Sequence, residues 1–161
     1  MKKILMKLST FIVLTLLLGF VIESNEVKAA TTSDGFEYEC DYYHNTATIY
    51  GYTGNDSTVV FPSEIDGCKV TRIAAPDYGF GRYGRIFKDY ETITAIVIPD
   101  TVEEIGRESF FQCKNLKTVK MSKNMKKIDH EAFRRCYALE KIELPASLEE
   151  LGEMAFMNAQ A

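Results

Sequence analysis

Residues 93–161 carry one pattern three times at a period of 23 residues, and that period restricts the chain to a coil that stacks on copies of itself. The copies are ITAIVIPDTVEEIGRESFFQCKN (93–115), LKTVKMSKNMKKIDHEAFRRCYA (116–138) and LEKIELPASLEELGEMAFMNAQA (139–161). Their apolar positions coincide in six columns: Ile93/Leu116/Leu139, Ile96/Val119/Ile142, Ile98/Met121/Leu144, Val102/Met125/Leu148, Ile105/Ile128/Leu151 and Phe110/Phe133/Phe156. Ordering the backbone of one coil costs more than burying its own apolar side chains returns. Stability therefore comes from neighbours that hydrogen-bond strand to strand and close the core above and below each coil.

A period in the twenties that opens L-x-x-I-x-I implies a short strand and a return segment in every copy, as in solenoids of leucine-rich type. The expected fold is a mainly β solenoid, a right-handed coil with short strands, turns and short helical segments, preceded by a β-hairpin N-terminal cap. Upstream, Phe36, Tyr38 and Cys40 alternate with polar neighbours, and so do Ala47 and Ile49, which predicts strands over 36–42 and 46–52 joined at His44-Asn45. Laid across the first coil, this hairpin would cover an open strand edge. Residues 59–92 read as a degenerate coil: Phe61-Pro62 matches Ile98-Pro99, the Val70–Ile73 run matches Val102–Ile105, and Phe87 matches Phe110. Two insertions interrupt it. One is an insertion around 65–69, and the other is a Gly- and aromatic-rich excursion at about 75–83 that contains Tyr78 and Tyr83. Insertions in repeats map to loops on one face and often carry function.

The first 29 residues stand apart. MKKILMK is basic, Leu8 to Ile22 is a mostly apolar run, and Val27-Lys28-Ala29 has the small-residue form of a cleavage site, so 1–29 reads as a secretory signal peptide cut after Ala29 or Ala30. The run is short for a membrane span, so contact with a membrane is expected only through this segment before cleavage. The domain reading is thus signal peptide 1–29, hairpin cap 30–58 and solenoid 59–161. Removing 1–29 leaves 15 basic against 21 acidic side chains, a balance that argues against a nucleic-acid partner.

The sequence I-x-I-P-x-x-V-x-x-I-G-x-x-A/S-F-x-x-C, complete from Ile96 to Cys113 and partial in the later copies, resembles the BspA-type leucine-rich repeats of bacterial surface and secreted proteins. The hairpin and the Ile65-Asp66-Gly67-Cys68-Lys69-Val70-Thr71 segment are similar to the region those proteins place before their repeats. Copy 116–138 departs from the motif, with Ser122 and Asp129 where its neighbours have Pro and Gly. The resemblance implies adhesion or the binding of proteins on other cells, at the cell surface or in the medium. It brings no catalytic residues to carry over.

Motifs for chemistry are missing as well. The chain has no H-E-x-x-H, no G-x-S-x-G, no phosphate loop and no paired C-x-x-C, so no enzyme, metal site or cofactor is expected. His44 and His130 read as solvated. Cys113 and Cys136 share a column one coil apart whose next member is Ala159. Stacked strands keep parallel side chains about 4.8 Å apart, which suits small packing residues better than a bridge. Cys40 and Cys68, both in the hairpin region of an exported chain, are the better disulfide candidates. The charges alternate by coil: −2 in 93–115, +5 in 116–138 and −4 in 139–161. The columns Glu103/Lys126/Glu149 and Glu104/Lys127/Glu150 set opposite signs side by side, fixing register, while Lys117, Lys120 and Lys123 form a basic stripe suited to an acidic partner.

The functional expectation is an exported, non-enzymatic binding module for a protein or glycan ligand on another cell or surface. It would use exposed strand residues, among them Thr94, Ala95, Val97, Lys117, Thr118, Lys120, Glu140, Lys141 and Glu143, with Tyr78 and Tyr83 of the insertion. The competing expectation is a structural protein that self-associates through the C-terminal coil, which nothing in the sequence covers.

Overall fold

The computed structural model describes residues 27–75, 86–87 and 91–160. The apolar period becomes a solenoid of about four turns, built from twelve short strands and turns, with no helix among the described residues. The strands are β1 (Val27–Thr31), β2 (Phe36–Asp41), β3 (Thr46–Tyr52), β4 (Thr58–Val60), β5 (Glu64–Ile65), β6 (Cys68–Ile73), β7 (Ala95–Val97), β8 (Glu104–Ile105), β9 (Thr118–Lys120), β10 (Lys127–Ile128), β11 (Lys141–Ile142) and β12 (Glu150–Leu151).

Each coil contributes one strand to each of two sheets. The first sheet runs β1-β2-β3-β6-β8-β10-β12, with β5 paired to β6, and the second runs β11-β9-β7-β4. Parallel pairing keeps the register of the repeat: Ile96 faces Val59 and Val119, and Ile105 faces Ile73 and Ile128. The hairpin of β2 and β3 extends the first sheet, because β3 lies parallel to β6 with Ala47 opposite Val70. β1 adds antiparallel to β2. It starts at Val27, so a cut after Ala29 or Ala30 would remove most of this strand.

The core is a stack of matching columns. Phe87, Phe110, Phe133 and Phe156 lie ring over ring, with centroids 5.1, 5.0 and 5.3 Å apart and planes within 14°. Phe61 closes the N-terminal end of this stack edge-on, and Phe36 and Tyr52 of the hairpin pack beyond it. Gly106 and Gly152 allow coils to approach closely: a Cβ at Gly106 would run into the Ala74 side chain, and one at Gly152 into the backbone of Asp129 and His130.

Two expectations are corrected. The return segments are not short helices. Glu108 and Gln112, Glu131 and Arg135, and Met154 and Asn158 all adopt positive φ between 52° and 63°, which breaks any helix and aims alternate N–H groups at the next coil. Thus Glu108, Phe110 and Gln112 donate to the carbonyls of His130, Ala132 and Arg134, and Glu131, Phe133 and Arg135 donate to those of Glu153, Ala155 and Met157. A hydrogen-bonded ladder of turns forms a third face of the solenoid. The insertion around 65–69 is likewise no simple loop. Asp66 (φ 50°) and Gly67 (φ 77°) make the two-residue turn of a β5–β6 hairpin, as an Asp-Gly pair favours.

Candidate binding face

On β9 the alternation of the strand buries Val119 against the core and turns Thr118 and Lys120 outward, with Lys117 exposed just before them. The same alternation exposes Lys141 and Glu143 on the next coil and half-exposes Val97 on the previous one, where Val97 is the register partner of Lys120. The second sheet therefore gathers Val97, Thr118, Lys120, Lys141 and Glu143 on its exposed side, and Lys117 is exposed just outside β9. Tyr78 and Tyr83 lie outside the described residues.

A groove of about 550 Å³ opens at this face, lined by Thr118, Lys120, Lys123, Lys141, Glu143, Leu144 and Pro145 with the intervening backbone. Its walls differ in charge balance. Lys141 Nζ donates to Glu143 Oε1 at 2.6 Å, which lowers the carboxyl and raises the amine relative to their ordinary ranges. Lys123 reaches Asp100 at 3.9 Å, while its backbone N–H donates to the same carboxylate at 2.9 Å. Among the described residues, Lys117 and Lys120 have no carboxylate within ion-pair distance. Of the three lysines of the expected basic stripe, Lys120 and Lys123 line the groove and Lys117 lies outside it.

The opposite sheet behaves differently, because its lysines and glutamates answer one another. Lys126 Nζ donates to Glu103 at 2.7 Å, Lys69 approaches the same carboxylate at 3.7 Å, Arg72 pairs with Glu104 at 3.1 Å and Lys127 with Glu150 at 3.1 Å. The hydrogen bond from Lys126 holds the Glu103 carboxyl below its ordinary range. That face spends its charge on register.

The remaining titratable candidates belong to the framework. All four cysteines are free and buried. The expectation of a bridge between Cys40 and Cys68 gives way to two neighbouring thiols, with Cys40 Sγ donating to the Ile65 carbonyl at 3.6 Å; burial, then the Cys68 thiol, pushes Cys40 up to about 12. Cys113 and Cys136 donate to the carbonyls of Phe87 and Phe110, one coil back, at 3.7 and 3.2 Å. His44 is exposed beside Asp41 at 2.6 Å, whereas His130 is half-buried with Glu131 at 3.0 Å, so only the first is solvated as expected. Tyr38, which alternation marked only as a strand position, donates its hydroxyl to Asp66 at 2.5 Å and ties the first hairpin to the second; that bond, with burial, raises the phenol well above its ordinary value. Among the described residues no cluster could hold a metal ion, and no helix is long and apolar enough to cross a membrane.

The stacked phenylalanines, the glycine contacts and the two-sheet coil coincide with a known repeat, since the family model for the BspA type leucine rich repeat region, in six copies, matches residues 66–161. The chain belongs to this family. Solved structures agree. A leucine-rich repeat protein from Bacteroides capillosus is 27% identical, with a TM-score of 0.67 over 82% of this chain and 92% of its own. A leucine rich cell surface protein from Faecalibacterium prausnitzii is 32% identical, with a TM-score of 0.68 over 84% of this chain and 35% of its own. The T. pallidum leucine rich repeat protein is 25% identical, with a TM-score of 0.65 over 79% of this chain and 66% of its own. This BspA-type chain therefore spans about a third of the Faecalibacterium protein and two thirds of the treponemal one. None of the curated proteins matches it.

Proposed function

We propose that this BspA-type chain is an exported, non-enzymatic recognition module that binds an acidic protein or glycan on the exposed side of its second sheet. The observation that carries the reading is the pair Lys117 and Lys120, exposed and without a carboxylate partner among the described residues, with Lys120 and Lys123 lining the groove, whereas the first sheet pairs charges across its coils. The sheet holds the backbone that carries Lys120 in place, so the ordering cost when a polyanion docks falls on the lysine side chains rather than on the main chain. Electrostatic steering would raise the association rate and make binding sensitive to salt. The cell-surface description of the Faecalibacterium relative and the basic and apolar N-terminus both support an extracellular setting.

The test is a titration of the chain with a sulfated glycosaminoglycan and, separately, with a poly-glutamate peptide, each against an uncharged polysaccharide. Binding to one of the anions should fall about tenfold in the Lys117→Glu/Lys120→Glu variant, and it should weaken as salt rises. Binding that is indifferent to both lysines, or equal for the uncharged polymer, would overturn the reading.

A further inference from the structure

The hairpin region carries charge that nothing near it answers. From Ala29 to Cys68 there are seven Asp and Glu and no Lys or Arg, and among the described residues none of these carboxylates pairs with a lysine or an arginine. The first cation after this stretch, Lys69, is turned to Glu103. The β2–β3 turn adds an aromatic to this acidic surface. Tyr43 is 71% exposed, more than any other large apolar side chain described, and Tyr42 beside it is 44% exposed. The turn is held in place by one carboxylate: Asp41 Oδ1 accepts the backbone N–H groups of Tyr43 and His44 at 3.0 and 3.1 Å, its Oδ2 meets His44 Nδ1 at 2.6 Å, and the His44 ring stands edge-on to Tyr43 with centroids 4.8 Å apart. A tip whose backbone is already ordered, carrying a ring with two rotatable bonds, loses little freedom when it docks.

The second sheet offers a surface of the opposite character. Its groove of about 550 Å³ is lined by the basic Lys120 and Lys123 and by the apolar Met121, Leu144 and Pro145, while Glu143 on the same wall is already matched by Lys141 at 2.6 Å. A groove of this size accepts a side chain as an anchor. We infer that it receives the hairpin tip of a second copy of this chain, with the Tyr43 ring against Met121, Leu144 and Pro145 and the Glu39 and Asp41 carboxylates toward Lys120 and Lys123. This names the acidic partner of the proposed binding face and rests on that reading. No copy fills its own groove, because the coils of β6 and β8 separate the β2–β3 tip from the coil of β9 and β10. Pairing like with like is opposed by charge, carboxylate against carboxylate at two tips and ammonium against ammonium at two grooves. The contact therefore joins two different surfaces, each docked pair keeps one free tip and one free groove, and copies add head to tail.

The probe is the full chain itself, one copy labelled with a fluorophore and another titrated in, followed by anisotropy. Glu39→Gln/Tyr43→Ala disables the tip while Asp41 keeps its turn, and Lys120→Gln/Lys123→Gln disables the groove; circular dichroism checks that each variant is folded. The tip variant mixed with the groove variant retains one working contact and should bind, more weakly as salt rises. Tip variant with tip variant, and groove variant with groove variant, should each bind at least about tenfold more weakly. Contacts made elsewhere on the chain are common to all three pairings, so the difference isolates tip and groove. The tip variant has an intact groove and should bind the sulfated glycosaminoglycan or the poly-glutamate peptide as the wild type does. Equal association in the three pairings would overturn the inference, and so would wild-type copies that do not associate at the limit of solubility. In either case, anion binding that still depends on Lys117 and Lys120 would leave the proposed function standing with a different acidic partner.

Discussion

Phe133 lies between two parallel rings at 5.0 and 5.3 Å and is wholly buried, while Phe156, in the same column, has a ring on one side and stays half-exposed. Removing a buried ring forfeits its transfer free energy and leaves a cavity that rigid neighbouring coils cannot fill. Phe133→Ala should therefore cost about 3–5 kcal/mol in a denaturant melt. Phe156→Ala should cost clearly less, and a larger loss for Phe156 would contradict the stacking order. The cysteine column gives a second expectation at this scale. Burial pushes the Cys136 thiol up to about 12 and the Cys113 thiol well above its ordinary value, and alkylation requires the thiolate. Both should react with iodoacetamide more slowly in the native protein than in urea, Cys136 on the order of a thousandfold more slowly. Mass spectrometry of the digested protein should find no peptide linking 113 to 136.

The turn segments show what the sequence made legible and what it hid. Apolar columns and strand register could be read because the core demands one residue type at a fixed spacing, and the alternating glutamates and lysines could be read because register pairs them. The left-handed positions could not: Glu108, Gln112, Glu131, Arg135 and Met154 are neither glycine nor asparagine to signal positive φ, and the first four donate their N–H groups to the next coil, a contact no local sequence signal announces. An Asp-Gly pair favours a two-residue hairpin turn on its own, but between matched apolar columns the same residues read only as extra length. Of the expected binding residues, the strand positions follow from alternation, and the groove does not, since its shape depends on where Leu144 and Pro145 leave the sheet. At the turns, Glu131 accepts from Arg134 at 2.7 Å and is mostly covered, so its carboxyl is held below its ordinary 4.5. A depressed carboxylate contributes stability that is complete above its unfolded value and is lost as pH falls through the folded one. The wild-type protein should lose stability on acidification below about pH 4.5, and Glu131→Gln should flatten that part of the curve in chemical melts taken at stepped pH.

For the molecule as a whole, a stack in which each coil contacts only its neighbours should open coil by coil, first where the described residues supply a neighbour on one side only. Amide hydrogen exchange should be fastest at Met154, Phe156 and Asn158 and slowest at Ile105, Ile128 and Phe133, whose coils are covered on both sides. Uniform exchange across the coils would mean that the solenoid opens as one unit.

The alternating ladders of the first sheet also set a parity. Every coil presents the same backbone donors and acceptors, so duplicating a single repeat would leave each hydrogen bond intact, but it would bring two acidic or two basic edges together. Duplicating an acidic and a basic repeat as a pair preserves both. An array of this kind can lengthen at little electrostatic cost only in steps of two, and its heritable unit of growth is twice its structural unit.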